Sequence, residues 1–241
     1  MFDNKFLSAI ITAAGSGRRM KSDINKPYLS LGDKKIIELT LDTITSIEEF
    51  DEIILVIRKE DESLIKEILE KYKKNIKYVF GKETRELSTF EGLKALDKKA
   101  KLVLTHDGVR PFASKSLFYK TLDELRTYKA VISATKTKDT IKIVNEQMLV
   151  DFTPNRDYVY NIQTPQAFEK DTIYPMYEKY VDSEFKITDD SQLFEFFNRS
   201  TPVKVVEGEY SNIKITTAED ILFAKAYIKK RIESVQKCEL V

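Results

Sequence analysis

Apolar and polar positions follow two alternating periods through the first 107 residues. Compact apolar runs of strand length, FLSAII, DEIILVIRK, IKYVF and AKLVLTHD, take turns with segments whose apolar residues recur at helical spacing. These helical segments read KIIELTLDTITSI, DESLIKEILEKYKK and STFEGLKAL. Repeated strand–helix units predict an α/β fold with a mainly parallel twisted sheet and helices on both faces.

The pattern changes after Lys129. The stretch AVISATKTKDTIKIVNEQMLVDFTPNRDYVYNIQTPQAF holds short alternating segments and no helical periodicity until after Phe168. We interpret it as a β-rich excursion, with a β-arm at about 138–160, because it is too long and too patterned for a plain loop. Helices at TIYPMYEKY and DDSQLFEFF, a strand at VKVVEG and a last helix at AEDILFAKAYIKKRI complete the prediction. Without internal repeats, we expect one domain over 1–241.

Composition narrows the possible partners. Forty Lys plus Arg against 39 Asp plus Glu give a net charge of +1, which argues against a nucleic-acid-binding face. No apolar run approaches the roughly 20 residues that a membrane span needs, and the N-terminus enters a strand without a cleavage-site pattern. The single cysteine, Cys238, cannot form an internal disulfide. A cytoplasmic protein with no nucleic-acid or membrane partner fits best.

Unusual residues collect after three of the predicted strands. The segments are AAGSGRRM after the first strand, GKETR after IKYVF, and HDGVRP after LVLT. Ligands of open α/β sheets bind outside the carboxyl ends of the strands. Gly15 and Gly17 would let backbone N–H groups approach a ligand closely, and adjacent guanidinium groups suit phosphate, so the first loop suggests a polyphosphate site. An ordinary turn is the alternative.

Two common nucleotide motifs are absent from this loop. The third glycine of a dinucleotide fingerprint is replaced by Met20, and the second strand ends at Arg58 where a ribose-binding acid is needed. The Walker pattern fails because no Gly-Lys-Ser/Thr follows Gly15 at the required distance. An NAD-dependent oxidoreductase is therefore disfavoured.

Two further residues, taken together with the glycine loop, suggest phosphoryl or nucleotidyl transfer. Lys26, in INKPYL, could neutralise charge on a transferring phosphate, and Asp107 could hold a hydrated magnesium ion against phosphate oxygens. A solvated surface lysine and a turn aspartate are the alternatives. His106, the only histidine, is expected to hydrogen-bond a loop rather than to act in catalysis.

Eight motifs, in order and across almost the whole chain, resemble the 2-C-methyl-D-erythritol 4-phosphate cytidylyltransferases. They are AAGSGRRM, Lys26 with YL, RELSTFEGL, HDGVRPF, KDTIKIV, QTPQAF, ITDDSQLFE and SNIKITTAEDI. The resemblance implies a Rossmann-like nucleotidyltransferase fold and transfer of CMP from CTP to a polyol phosphate, with release of pyrophosphate, in non-mevalonate isoprenoid synthesis. The ribitol-5-phosphate cytidylyltransferases share much of the pattern: the valine of HDGVRPF and PNRDYVY favour them, whereas AAG, KDTIK and TDD favour the methylerythritol group.

The resemblance also implies a role for individual positions. Arg19, Lys26 and Lys214 would be catalytic, by bracing the phosphates, and Asp107 would bind Mg²⁺; for Arg18 a surface salt bridge is at least as good an interpretation. The residues implied to line the nucleotide site are Ala13, Ala14, Gly15, Gly17, Gly81, Ser88 and Asp107. Those implied to bind the polyol phosphate are Arg110, Thr140, Arg156, Thr164 and Thr188.

Exposed apolar residues in the arm favour a homodimer. Ile141, Ile143, Val159 and Tyr160 would need a partner surface, and the resemblance implies arms that cross, each delivering acceptor-binding residues to the neighbouring site. An arm folded back on its own domain is the alternative.

Two positions depart from the family pattern: Pro27 replaces a glutamine, and Lys82 replaces the second glycine after Gly81, beside the expected base pocket. A nucleotide-binding module without catalysis is a remaining functional alternative. It is disfavoured because Lys26, Asp107, Arg156 and Lys214 are all retained.

Overall fold

A seven-stranded sheet with strand order β11-β7-β10-β6-β1-β4-β5 forms the centre of the protein. The computed structural model describes residues 1–15 and 25–238, with side chains described as far as residue 230. Its strands are β1 (Phe6–Thr12), β4 (Glu52–Ile57), β5 (Ile76–Phe80), β6 (Ala100–Asp107), β7 (Ala130–Lys136), β10 (Tyr160–Glu169) and β11 (Val203–Glu207). Two hairpins lie outside it, β2 (Ser30–Leu31) with β3 (Lys34–Lys35), and β8 (Ile143–Val144) with β9 (Val150–Phe152).

Parallel pairing dominates, as the repeated strand–helix units predict. β1 pairs with β4 and β6, β4 with β5, and β7 with β11, all in parallel. Only β10 runs against its neighbours β6 and β7 among the described strands of this sheet. The prediction of a mainly parallel sheet is confirmed.

Helices cover both faces of the sheet. They are α1 (Ile36–Thr45), α2 (Glu62–Leu69), α3 (Arg85–Lys94), α4 (Lys115–Glu124), α5 (Lys170–Val181), α6 (Gln192–Phe197) and α7 (Ala218–Cys238). Buried residues of α1, α2 and α4 pack in one core with Leu7, Ala9 and Ile11 of β1. Those of α3, α5 and α6 pack in a second core with Ile10, because alternate side chains of a strand point to opposite faces.

The excursion after Lys129 is shorter than its sequence pattern indicates. β7 and β10 at its two ends belong to the central sheet, and β10 lies between β6 and β7. The segment between them carries the β8–β9 hairpin and a 3-10 turn at Arg156–Tyr158. Interpreting all of 130–168 as an excursion was therefore wrong at its ends, since the pairing of two strands so far apart in sequence is a tertiary property.

Helix α4 was absent from the sequence interpretation, although a capping residue precedes it: the Ser114 hydroxyl accepts a hydrogen bond from the Leu117 N–H at 3.1 Å. In the part of the chain that the structure describes, no helix combines the length and apolar character of a membrane span. The single domain over 1–241 stays a prediction.

Candidate active site

A cleft of about 310 Å³ opens at the carboxyl ends of β1 and β6. The expected site residues among those lining it are Ala13, Ala14, Gly15, Lys26, Ser88, Asp107 and Lys214. They come from four parts of the chain, namely the segment after β1, the end of β6, the start of α3 and the segment before α7. The fold thus brings together seven of the residues that the family resemblance implied. Gly17 and Arg19 lie in residues 16–24, outside the described residues.

Gly81 is required by close packing under this cleft. A Cβ atom added at Gly81 would lie 2.4 Å from the Ala14 Cβ and 2.6 Å from the Ser88 Oγ. Such distances are well inside van der Waals contact, so a larger residue would displace the walls of the cleft. The Lys82 N–H donates to the Ser88 Oγ at 3.0 Å, which ties this loop to the first turn of α3. Lys82 itself is exposed.

Lys26 lies in a 3-10 turn, Lys26–Tyr28, rather than in a loose surface loop. Its side chain is half-buried and lines the cleft. Pro27 fits the start of the turn because its ring fixes φ and the N–H it lacks would have no partner inside so short a helix. The Tyr28 N–H closes the turn by donating to the Asn25 carbonyl at 2.9 Å.

Asp107 lies at the end of β6 among three cations. Its Oδ1 accepts from Arg85 Nε at 2.9 Å, and its Oδ2 is 3.2 Å from Arg110 Nε and 3.0 Å from Lys214 Nζ. Burial alone would raise the pKa of the Asp107 carboxyl, but the positive charges of Arg85, Lys214 and Arg110 hold it well below its usual range. The carboxylate is therefore ionised throughout the neutral pH range.

A second cavity of about 280 Å³ adjoins the first. Arg110, Thr164 and Thr188, all implied as acceptor-binding residues, line it. The two cavities share three residues, Arg85, Asp107 and Lys214. A carboxylate and two cations thus lie where the two cavities meet.

His106 is a neutral residue that contacts two of the residues lining the second cavity, Arg110 and Thr164. Burial lowers the pKa of His106 to about 4. Its Nε2 lies 3.3 Å from the Arg110 carbonyl, and its Nδ1 lies 3.0 Å from the Thr164 Oγ1. Because the Arg110 carbonyl can only accept, Nε2 carries the proton of the neutral ring, and Nδ1 accepts from the Thr164 hydroxyl. The expectation that His106 hydrogen-bonds a loop is confirmed.

Thr140 and Arg156 are not among the described residues that line either cavity. Both are exposed on the arm, and Arg156 Nη1 donates to the Lys138 carbonyl at 3.2 Å. The arm of the single chain thus leaves these two side chains apart from the other candidate acceptor-binding residues.

A divalent cation fits this site through one carboxylate. No three His, Cys, Asp or Glu side chains converge within the described ranges. Mg²⁺ is commonly held by one or two carboxylates together with substrate phosphates and water. Asp107 is ionised and lines both cavities, and the bonds described to its Oδ1 come from Arg85 alone, which leaves a lone pair for a metal.

Comparison with known proteins identifies the family. The profile of the 2-C-methyl-D-erythritol 4-phosphate cytidylyltransferases matches residues 7–230. The chain belongs to this family. The family enzyme of Caldanaerobacter subterraneus is 39% identical over 227 residues, covering 93% of this chain and 99% of the relative, and that of Clostridioides difficile is 42% identical over 220 residues, covering 90% and 92%.

Solved structures of the cytidylyltransferase family have the same fold as this chain. The 4-diphosphocytidyl-2C-methyl-D-erythritol synthase of Anaerococcus prevotii aligns with a TM-score of 0.88 and 68% identity, covering 95% of this chain and 98% of the other. The cytidylyltransferase of Francisella tularensis aligns with a TM-score of 0.77 and 28% identity, covering 91% and 98%. These matches confirm a nucleotidyltransferase enzyme of the methylerythritol group and do not support the ribitol 5-phosphate alternative.

Sequence reasoning missed three residues of this cytidylyltransferase site. Arg85 lines both cavities, Asn25 lines the first, and Asp190 is fully buried behind Arg85. Arg85 and Asp190 were in the matched motifs RELSTFEGL and ITDDSQLFE, so the family pattern marked the segments. The pairing of an arginine and an aspartate 105 positions apart was visible only in the fold.

Proposed function

We propose that this chain transfers CMP from CTP to 2-C-methyl-D-erythritol 4-phosphate and releases pyrophosphate. The observation that carries the proposal is the pair of adjoining cavities that share Arg85, Asp107 and Lys214. Nucleotidyl transfer needs two anionic substrates placed against each other, with cations where their charges meet. The names of the relatives supply the identity of the two substrates.

In this proposal CTP occupies the larger cleft. Its base lies towards Gly81 and Ser88, and its triphosphate extends past Gly15 towards Lys26 and Lys214. Gly81 has no side chain, and the space next to it is filled by Ala14 and Ser88. We keep Gly17 and Arg19 in the proposed phosphate site on the strength of the family motif.

The polyol phosphate occupies the smaller cavity, towards Arg110, Thr164 and Thr188. One of its phosphate oxygens attacks the α-phosphorus of CTP. A new P–O bond forms there while the bond to the bridging oxygen of the β-phosphate breaks, and pyrophosphate leaves with that electron pair. The nucleophile is already an anion, so the chain needs to supply placement and positive charge rather than a general base.

Asp107 would hold Mg²⁺ in this scheme. When bound, the ion would neutralise charge on the phosphate oxygens of CTP. Arg85, Arg110 and Lys214 keep the Asp107 carboxylate ionised and orient it towards both cavities. The half-exposed Lys214 side chain is free to turn from Asp107 to a phosphate.

We further propose that two chains form a homodimer through their arms. The arm carries apolar side chains in solvent: Phe152 is 53% exposed and Leu149 is 64% exposed. A group of exposed apolar side chains on one segment is typical of an interaction surface. Thr140 and Arg156 do not line the acceptor cavity of their own chain. Arm exchange would bring them to the acceptor cavity of the other chain.

Measurement of pyrophosphate release tests the proposal. Each of four nucleoside triphosphates is combined with 2-C-methyl-D-erythritol 4-phosphate and, separately, with ribitol 5-phosphate. We expect turnover with CTP and the methylerythritol phosphate to exceed every other combination. Faster turnover with ribitol 5-phosphate would reassign the acceptor. Faster turnover with another triphosphate would show that Lys82 or Pro27 changes the base preference. No pyrophosphate from any pair would reject the proposal.

A further inference from the structure

Arg85 lies between two carboxylates at the junction of the cavities. Its Nε donates to Asp107 Oδ1 at 2.9 Å, while its Nη1 donates to Asp190 Oδ1 at 2.7 Å. A guanidinium is planar and presents several donors in a fixed arrangement, so it can bind both carboxylates at once. The position of Asp107 is thereby linked to that of Asp190.

Asp190 is held by several hydrogen bonds besides those from Arg85. It is fully buried, and it also accepts from Thr105 Oγ1 at 2.6 Å and from the Tyr177 hydroxyl at 2.5 Å. These donors come from β6 and α5, so the carboxylate is fixed to two elements of the core. Because Asp190 has no exposed surface, it cannot touch a substrate in either cavity.

Because Asp190 holds Arg85 in place, Arg85 does not move with the Asp107 side chain. An aspartate held only by the half-exposed Lys214 would have freedom to rotate about its side-chain bonds. Arg85 restrains Oδ1 from the core side, while Arg110 and Lys214 contact Oδ2 from the other. The orientation of the Asp107 carboxylate is therefore set by a group that is itself fixed by the buried Asp190.

We infer that Arg85, anchored by Asp190, is a positioning residue that fixes the Asp107 carboxylate at the junction of the nucleotide and acceptor cavities. This inference rests on the proposed function, because it assigns Arg85 a part in that reaction. Arg85 acts through Asp107 and not by binding a substrate.

A double-mutant cycle between Arg85 and Asp107 separates positioning from direct contact. Lysine keeps the charge of Arg85 but offers a single ammonium group that cannot reproduce the two-sided geometry. We expect Arg85→Lys to lower kcat about 10- to 100-fold, the scale of a small misplacement, with CTP affinity in calorimetry changed less than kcat. In an Asp107→Asn background the same substitution should cost no further activity.

Tyr72→Phe is the matched control for a purely structural role. The Tyr72 hydroxyl lies 3.0 Å from both the Glu38 carbonyl and the Asp42 carboxylate, and Tyr72 lines neither cavity. We expect Tyr72→Phe to lower the melting temperature while kcat stays at the wild-type value. If Tyr72→Phe lowers kcat as much as Arg85→Lys does, the effect follows from stability and the inference is overturned.

Two other outcomes would also overturn the inference. Wild-type kcat in folded Arg85→Lys would remove the residue from the mechanism. Losses that multiply in the double variant would mean that Arg85 acts independently of Asp107, by contacting a substrate directly. Should Arg85→Lys fail to fold, as circular dichroism would show, Asp190→Asn is put through the same cycle, since it removes the anchor without changing Arg85.

The wild-type reaction distinguishes a failure of this inference from a failure of the proposed function. A wild-type protein without CMP transfer rejects the proposed function. A wild-type protein that is active, with multiplicative losses in the cycle, rejects only the role of Arg85.

Discussion

At the scale of single residues, the site is a set of charges whose neighbours fix both position and protonation. Lys26 is held in a short turn at the edge of the cleft, and Asp107 is ionised by the cations around it. His106 is buried next to Asp107 and stays neutral. Among the described residues of the site, Asp107 and Arg85 therefore carry fixed charges at neutral pH, and His106 carries none.

Lys26→Ala tests the proposed role of the first of these charges. We expect normal folding and a turnover lower by about 10²–10³, the usual effect of deleting one preorganised transition-state donor. Steady-state pyrophosphate release measures it. Lys34→Ala is the control, because Lys34 is an exposed lysine paired with Asp42 away from the cleft and should keep wild-type turnover. Near-wild-type turnover of Lys26→Ala would remove the lysine from the mechanism.

Asp107→Asn tests the proposed metal site. Activity should require a divalent cation, with Mg²⁺ sufficient, and the variant should show sharply reduced turnover and a weaker dependence on the metal, because the amide keeps the shape but loses the charge. Titration of the rate with Mg²⁺ checks this. Glu83→Gln, which alters another acid lining the cleft, should keep the wild-type Mg²⁺ response. Full activity of the wild type in EDTA would contradict the prediction.

At the scale of elements, the segment that carries Lys214 is fastened to the start of α7. The Asp220 carboxylate accepts from the Thr216 N–H at 2.7 Å, the Thr217 N–H at 2.8 Å and the Thr216 hydroxyl at 2.9 Å. Burial alone would raise the pKa of Asp220, but these hydrogen bonds lower it below its ordinary value. The Asp220 carboxylate thus attaches the segment that carries Lys214, which lines the cleft, to the first turn of α7.

Asp220→Asn should lower the free energy of unfolding by about 1 kcal/mol at pH 7, as expected for a weakened helix cap. The folded-state pKa lies below the unfolded value of about 3.9, so the contribution of the ionised group is present above about pH 4 and is lost as the pH falls through the folded-state pKa. Urea unfolding at pH 7 and at lower pH measures the difference. The exposed Asp171→Asn, in the first turn of α5, should change stability by less than about 0.5 kcal/mol. A difference between wild type and Asp220→Asn that grows below pH 4 would contradict the assignment.

At the scale of the whole molecule, the arm carries several large apolar side chains that are exposed to solvent. Tyr158 is 83% exposed, and Ile143 and Val150 of the same arm are also exposed. The hairpin of β8 and β9 contributes no strand to the central sheet. A two-fold partner is the common solution for such a surface, and it would complete the acceptor cavity with Arg156.

Complementation between two inactive variants tests arm exchange. If Lys26 of one chain and Arg156 of the other serve one site, Lys26→Ala and Arg156→Ala should each be nearly inactive alone. A mixed dimer would then carry one intact site and one doubly damaged site, so random pairing after co-refolding should restore about a quarter of wild-type activity. Two different affinity tags verify that mixed dimers form. Mixed dimers without recovered activity would show that Arg156 serves its own chain or that the arm does not cross.

Sequence alone determined the features that depend on local periodicity and on ordered motifs. Alternation of apolar runs with helical patterns predicted the parallel sheet, since each element must bury its apolar face against another. The loops after β1 and β6 were assigned to one edge of the sheet, because the carboxyl ends of parallel strands meet there. Ordered motifs then gave the family and ten of the described residues that line the two cavities.

Only the tertiary structure decided which distant residues meet. The placement of β10 between β6 and β7, the core position of Asp190 and the contact of Arg85 with two carboxylates all join segments far apart in the chain. Periodicity reports how a segment relates to its own neighbours and holds no information on its partner in space. The interactions that fix the Asp107 carboxylate arise from long-range packing. For that reason the sequence identified Asp107 as a candidate site residue, but only the fold showed which residues hold its carboxylate in place.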